Sequence, residues 1–271
     1  YEPENSDSLG HGFRCGFLGL LHMEIIRERL SREYNLDFLM TVPSVTYKIE
    51  TKNNDIIEVK SPKDLPDENK IKVFLEPIAK INIITPAEYL GPVIELCVKK
   101  RGSQKNLQYR TSSVEISFEI PLSEIIYDFF DKLKSSTRGY ASYDYTVIDY
   151  VESKMIKLDI LVNKKKVDAL SQILHKENSD KKARELIENL KTLIPRQMFE
   201  ISIQGAIGSK ILASTSVRGF RKDVTAKLYG GDVTRKMKLL KKQKEGKRKM
   251  KKIGNVDIPK EAFYEFMMPK K

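Results

Sequence analysis

The chain has 271 residues, of which 40% are hydrophobic and 32% are charged, and its net charge is +12. This composition is typical of a folded protein that is long enough for two or three domains. The chain contains no run of 18 apolar residues, which excludes a membrane-spanning helix. Cys15 and Cys97 lie far apart, give no disulfide framework and suit a reducing cytosol. The chain begins with neither Met nor a signal segment, so we expect a piece of a longer protein.

The charge is divided unevenly along the chain. Residues 1–152 carry 19 basic and 24 acidic side chains, a net charge of −5, whereas residues 153–271 carry 30 basic and 13 acidic side chains, a net charge of +17. Between Arg235 and Lys252 there are 11 basic residues and one acidic residue, Glu245. Such asymmetry predicts a polyanionic partner for the basic part of the chain.

The first 72 residues predict one helix, one strand and a connection. Over 18–33, apolar residues recur every three or four positions, which indicates a helix. Over 39–50, apolar and polar residues alternate near the end, which indicates a strand. Residues 51–72 are mostly polar and contain two prolines, so we expect an irregular linker there.

Residues 73–152 predict the order β-α-β-β-α-β, which is a ferredoxin-like unit. Thr85-Pro86-Ala87-Glu88 is typical of the start of a helix, Gly102 marks the end of that helix, and the second helix contains residues 124–134. We expect a four-stranded antiparallel sheet with both helices on one face. The first and third strands of the unit should form its central pair.

Residues 153–271 predict a further α+β region that carries most of the positive charge. The predicted elements are a strand over 155–163, helices over 167–175 and 181–193, a strand around 198–204, and a basic helix that follows Gly230-Gly231 and ends at Gly254-Asn255.

Several catalytic and ligand-binding sites are disfavoured. His11, Cys15, His22 and Glu24 could bind a metal, but no CxxC pair or two-histidine helix spacing accompanies them, so packing at a helix start is the preferred interpretation. The sequence has no GxxxxGK[ST] loop and no GxSxG elbow. Asn163-Lys164-Lys165-Lys166 has Lys where a guanine-binding Asn-Lys-x-Asp motif has Asp. We therefore expect no catalytic, nucleotide-binding or metal site in this chain.

The stretch KMKLLKKQKEGKRKMKK, residues 236–252, admits three interpretations. A solvated surface helix would mix charges of both signs, and a helix on an anionic membrane would have a wide apolar face with aromatic residues. The pattern instead favours nucleic-acid phosphates, because one-signed charge gains free energy by counterion release. The predicted RNA-binding residues are Arg218, Arg221, Lys222, Arg235, Lys236, Lys238, Lys241, Lys242, Lys244, Lys247, Arg248, Lys249, Lys251 and Lys252.

Several stretches resemble the LepA (elongation factor 4) family of translational GTPases. SLGHGFRCGFLGLLHMEIIRERLSREYNLD is similar to the family's third domain, and EPIAKINIITPAEYLGPVIELCVKKRG and SSTRGYASYDY are similar to the ferredoxin-like fifth domain shared with elongation factor G. IPRQMFEISIQGAIGSKILA and GGDVTRKMKLLKKQKEGKRKMKKIGNV resemble the domain specific to LepA. The resemblance implies the end of the third domain over 1–50, a linker over 51–72, the fifth domain over 73–152 and the LepA-specific domain over 153–271.

The resemblance also implies a function. It implies a cytoplasmic, monomeric factor that binds ribosomal RNA and tRNA and promotes back-translocation or remodelling of stalled ribosomes, with a pool at the inner membrane. GTP and Mg²⁺ would bind a domain that precedes this part of the chain, so no GTPase residue is assigned here. The alternative from another class is a ferredoxin-like small-molecule sensor or metabolic enzyme. That alternative needs a pocket with convergent polar groups and does not explain the net charge of +17 over 153–271.

Overall fold

The computed structural model divides the chain into two compact units. One unit lies within residues 43–155, and the other combines residues of 1–42 with residues of 156–267. Both contain antiparallel sheets and helices, which confirms the predicted α+β class. For residues 6, 20, 21, 68, 252, 253 and 264 only the backbone is described. The structure describes residues 1–6, 10–17, 20–41, 45–126, 128–226, 233–253, 256, 258–259 and 262–265.

The chain begins with a hairpin and a helix. The hairpin is formed by β1 (Glu2–Ser6) and β2 (Gly10–Arg14), and α1 (Leu20–Tyr34) follows it. The helix predicted over 18–33 is therefore confirmed from residue 20 onward. Of the strand predicted over 39–50, residues 47–50 form a strand, residues 39–41 and 45–46 do not, and residues 42–44 lie outside the described residues. The hairpin was not predicted.

A sheet of six strands forms the unit within residues 43–155. Its strand order is β4-β3-β5-β7-β6, and β8 pairs with β5 as well. The pair of β5 and β7 is central to the ferredoxin-like part, as predicted for the first and third strands. The elements are β3 (Tyr47–Thr51), β4 (Ile56–Val59), β5 (Ile71–Thr85), α2 (Leu90–Lys99), β6 (Ser103–Tyr109), β7 (Val114–Pro121), α3 (Leu122–Ile125), α4 (Phe129–Ser136) and β8 (Ser142–Glu152).

One face of this sheet carries the core of the unit. Alternate residues of β5 and β7, among them Ile81 and Phe118, are fully buried and belong to the same cluster as Cys97 of α2 and Leu133 of α4. Side chains two positions apart on a strand point to one face, so both helices cover that face. This confirms the predicted arrangement of the helices.

The structure differs from the irregular linker predicted over 51–72. Strand β4 lies within that range, and it forms a hairpin with β3 that pairs in turn with the start of β5. Val59 and Ile49 are fully buried on this hairpin. Strand β4 is only four residues long, which is too short for the periodicity of its apolar residues to distinguish it from a loop. The domain boundaries inferred from the family resemblance stay predictions.

The second sheet has the order β10-β9-β12-β13, with β11 also paired to β9. The strand predicted over 155–163 and the helix predicted over 181–193 are confirmed, whereas the helix predicted over 167–175 is wrong. That range holds a 3₁₀ turn and β11, because pairing with β9 outweighs the weak helical spacing of so short a segment. The elements are β9 (Met155–Val162), β10 (Lys165–Lys166), β11 (Gln172–His175), α5 (Ser179–Leu193), β12 (Ile201–Ile207), β13 (Lys210–Val217), α6 (Val233–Ile253) and α7 (Ala262–Glu265).

Helix α5 covers the second sheet with the apolar stripe that the sequence predicts. Ala183, Ile187 and Leu190 are buried on the side that faces β12 and β13. A Cβ atom at Gly205 of β12 would lie 3.5 Å from the Cβ of Ala183, so the helix packs closely on the strand. The predicted basic helix is α6, and the residues expected to flank it, Gly230-Gly231 and Gly254-Asn255, lie outside the described residues.

Candidate nucleic-acid interface

Helix α6 has one face against the rest of its unit and the other in solvent. It has 21 residues and is about 31 Å long. Lys236, Leu239, Gln243 and Lys247, which recur every three or four positions, are half-buried. Val233, Met237 and Leu240 share another face of the helix. They are 69%, 66% and 37% exposed, so this apolar face is not the one that packs on the unit.

The covered face of α6 is held by the segment that follows β13. The side-chain amide of Gln243 donates a hydrogen bond of 2.6 Å to the carbonyl oxygen of Lys222. One helical turn further on, the ammonium of Lys247 donates to the carbonyl oxygen of Phe220. Two bonds spaced by four residues contact neighbouring points on one helix face, so they orient the helix about its axis.

The segment that holds α6 is itself anchored to the chain before β12. The backbone N–H of Phe220 donates to the carbonyl oxygen of Gln197 at 2.8 Å. A Cβ atom at Gly219 would lie 2.6 Å from the carbonyl carbon of Phe199, a distance that real Cβ atoms do not adopt. Glycine is therefore required at position 219 because two backbone segments approach each other there.

A short turn closes this segment. The backbone N–H and the hydroxyl of Thr225 both donate hydrogen bonds of 2.9 Å to Oδ1 of Asp223. These bonds stabilise the ionised carboxylate and hold the pKa of Asp223 below its ordinary value, with a smaller contribution from the charge of Arg221. The carboxylate of Asp223 therefore stabilises this turn, and it forms no ion pair with the described lysine side chains of α6.

The solvent face of α6 carries positive charge that no described carboxylate neutralises. Its exposed cations form no ion pair within the described part of the chain, and the exposed Glu245 is unpaired there too. The unit within 43–155 is different, since Lys100 lies 2.5 Å from Asp128 and Arg101 lies 2.7 Å from Glu76. The exposed cations of α6 are Arg235, Lys238, Lys241, Lys242, Lys244, Arg248 and Lys249.

Such an arrangement can bind an anionic polymer. Lysine and arginine side chains that no carboxylate engages can contact phosphates, and each contact releases counterions from a nucleic acid. The described residues contain no group of three or more His, Cys, Asp and Glu side chains that could hold a metal. Among those same residues, no helix is both long enough and apolar enough to cross a membrane.

Comparison with known proteins shows what the chain is similar to. Residues 73–161 match the family described as Elongation factor G C-terminus, and residues 162–268 match the family described as GTP-binding protein LepA C-terminus. Elongation factor 4 from Clostridium tetani (strain Massachusetts / E88) is 56% identical over 264 residues, which are 97% of this chain and 44% of that protein. The chain is similar to the C-terminal part of LepA-type proteins. It spans less than half the length of this relative.

Every candidate RNA-binding residue lies in the region that matches the LepA C-terminus. The structure brings Lys222 of the upstream segment next to α6 through the bond from Gln243. It does not leave all of the candidates equally accessible, because Lys236, Lys247 and Lys251 are half-buried. The candidates Arg218, Arg221 and Lys222 are exposed on the upstream segment, and the side chain of Lys252 lies outside the described part of the chain.

Two residues that support this cationic surface, Gln243 and Gly219, were not predicted, and Lys247 was predicted to bind RNA but not to hold the helix. Gln243 and Gly219 position α6, and Lys247 binds a carbonyl oxygen rather than standing free in solvent. Gln243 is the one neutral polar side chain between Lys236 and Lys252, and this interruption of the lysine run was the available signal. No sequence pattern distinguishes Lys247 from its neighbours, because its partner is a backbone atom 27 residues away.

Proposed function

We propose that this chain is the ribosome- and tRNA-binding portion of a LepA-type translational GTPase. The observation that carries the proposal is the solvent face of α6, where seven cations have no carboxylate partner among the described residues. The match of residues 162–268 to the LepA C-terminus supports the same assignment. The polyanion that these cations contact is RNA.

Lysines act here as point charges that position the domain on RNA. Long flexible stems carry single ammonium groups, which contact phosphates of any sequence and read no base edges. The bonds from Gln243 and Lys247 hold the helix in place before RNA arrives. A preorganised helix loses less conformational entropy on binding than a free basic tail would lose.

In the whole factor, this portion works together with a GTPase domain that binds GTP and Mg²⁺. Similarity to elongation factor 4 supports a role for α6 next to tRNA in the A site, where it promotes back-translocation or remodelling of stalled ribosomes and so translational fidelity. A monomeric state and peripheral contact with anionic membranes stay predictions from the family resemblance.

The test replaces four exposed lysines of α6, Lys241, Lys242, Lys244 and Lys249, by Gln and measures binding to ribosomes at several salt concentrations. We expect weaker binding at low salt, with the slope of log affinity against log salt smaller by roughly one unit for each lost phosphate contact. Circular dichroism should show an intact fold, because exposed charges contribute little to stability.

A matched control removes the same charge elsewhere in the same unit. Lys164, Lys176, Lys181 and Lys210 are also exposed, and their replacement by Gln should leave the affinity and the salt slope near those of the wild type. Unchanged binding of the α6 variant, or an equal loss in both variants, would show that α6 is only a solvated surface.

A further inference from the structure

A rigid loop follows α4 in the unit within residues 43–155. The fully buried Thr137 donates its hydroxyl to the carbonyl oxygen of Leu133 at 2.7 Å and accepts the N–H of Ala141 at 3.2 Å. The ammonium of Lys134 donates to the carbonyl oxygens of Ala141 and Gly139 at 2.7 and 3.2 Å. These hydrogen bonds within the loop stabilise the conformation in which it presents its exposed residues.

This loop presents a cation and an aromatic ring to solvent. Arg138 has a φ of +49° and is exposed, and Tyr140 is 67% exposed. A left-handed backbone at a residue other than Gly or Asn is unfavourable and persists where the surrounding contacts impose it, often at functional sites. Neither side chain packs in the core, so core packing does not explain why this loop holds Arg138 and Tyr140 in solvent.

The ring of Tyr140 stacks on a second ring. Its centroid lies 6.0 Å from that of Tyr89, at an interplanar angle of 13°. Burial raises the pKa of Tyr89 and Glu88 raises it further, whereas the positive charge of Arg138, which comes two positions before Tyr140, acts in the opposite direction. Tyr140 keeps 67% of its surface exposed beside this contact, which leaves ring surface open to a further stacking partner.

We propose that Tyr140, stacked on Tyr89 and flanked by Arg138, binds an unpaired base of RNA. The base would stack on the open face of Tyr140, and the guanidinium of Arg138 would contact an adjoining phosphate or the base itself. Proteins recognise single-stranded RNA by such stacking on aromatic rings and guanidinium planes. The exposed Arg138, two positions before the ring, supplies a cation that a phosphate can bind, which favours RNA over a partner without phosphates.

This inference rests on the proposed function, since it names RNA as the partner, but it uses different residues and different chemistry. Phosphate contacts by α6 depend strongly on salt, whereas stacking on a ring depends on it weakly. The two contributions are therefore separable in one binding assay. A loss of affinity without a change in salt slope is the signature of the Tyr140 surface.

The experiment measures binding of the full chain to a fluorescent oligoadenylate and to an RNA duplex of the same length. We expect Tyr140→Ala to weaken binding of the oligoadenylate roughly tenfold, with an unchanged salt slope and unchanged binding of the duplex. Tyr140→Phe keeps the ring and should bind like the wild type. The control is Tyr109→Ala, which removes a tyrosine that is 69% exposed on β6 and should have no effect.

Two outcomes would overturn the inference. One is that Tyr140→Ala binds the oligoadenylate as tightly as Tyr109→Ala does. The other is that Tyr140→Ala weakens binding of the duplex as much as binding of the oligoadenylate, which would show that the residue does not bind an unpaired base. Either result leaves the proposed function intact as long as the α6 lysine variant shows its smaller salt slope. Normal thermal unfolding of Tyr140→Phe and Tyr140→Ala excludes misfolding as the cause.

Discussion

The side-chain amide of Gln243 and the carbonyl oxygen of Lys222 lie 2.6 Å apart, although 21 residues separate them in sequence. This bond joins the middle of α6 to the segment that leaves β13. It makes the basic helix a fixed part of its unit rather than an independent rod.

Replacement of Gln243 by Ala should loosen α6. One hydrogen bond contributes roughly 0.5–1.5 kcal/mol, and the low end applies to a half-exposed site. We expect faster amide hydrogen exchange along α6, measured by mass spectrometry. Lys242→Ala is the control, because the side chain of Lys242 is exposed and forms no hydrogen bond or ion pair with the described residues. Equal exchange in the two variants would show that the bond does not hold the helix.

Replacement of Gly246 by Ala should stabilise α6. A Cβ atom at this position would meet nothing within 4 Å, so no steric penalty opposes the change. Glycine inside a helix costs about 1 kcal/mol relative to alanine. We expect greater helicity by circular dichroism and slower amide exchange in α6. Gly219→Ala is the opposite case, since its Cβ would lie 2.6 Å from Phe199, and it should destabilise the unit. A gain in stability at both positions would contradict this account.

Replacement of Lys164 by Gly should raise the free energy of unfolding. Asn163 and Lys164 form the two-residue turn between β9 and β10, with φ angles of +49° and +67°. A turn with two positive φ angles favours Asn-Gly, so the change should stabilise by about 0.5–1 kcal/mol. Urea denaturation measures the effect. Lys164→Ala removes the same charge but keeps a Cβ, and it should give no such gain.

Replacement of Asp128 by Asn should destabilise the ferredoxin-like part at neutral pH. Burial acts to raise the pKa of Asp128, but hydrogen bonds from the ammonium groups of Lys100 and Lys132 outweigh it and hold the pKa below its ordinary value. We expect a loss on the order of 1–3 kcal/mol at pH 7, since the side chain is largely buried.

The pH dependence of this loss follows from the sign of the shift. A carboxylate with a lowered folded pKa contributes its full stability above the unfolded pKa of about 3.9, and that contribution is lost as the pH falls through the folded value. The difference between wild type and Asp128→Asn should therefore shrink below about pH 4. A difference that grows in acid would contradict the assignment.

The two cysteines should react at very different rates. Cys97 is fully buried, and burial raises the pKa of its thiol to about 12, so little thiolate exists at pH 8. Cys15 is exposed. A chromogenic disulfide reagent should label one thiol at once and the second only after unfolding. Cys15→Ser should abolish the fast phase, and two fast thiols in the wild type would show that the core around Cys97 opens.

Local sequence patterns determined much of this protein. The helix start at Thr85-Pro86-Ala87-Glu88, the stop at Gly102 and the order of strands and helices were enough to predict the ferredoxin-like part, and the spacing of apolar residues was enough to predict the helix over 181–193. The position of the cationic helix also followed from counting charges, since no pairing inside the chain could neutralise a net charge of +17 over 153–271.

Only the tertiary structure decided which distant segments of the chain contact each other. Strands β4 and β11 exist because they pair with β3 and β9, and the loss of that pairing would leave two short segments without a strong preference. Lys247 differs from Lys244 only because a carbonyl oxygen lies beside it. Tyr89 and Tyr140 meet across 51 positions of sequence. Periodicity describes neighbours along the chain, whereas these contacts depend on how distant segments pack, so no local pattern could have revealed them.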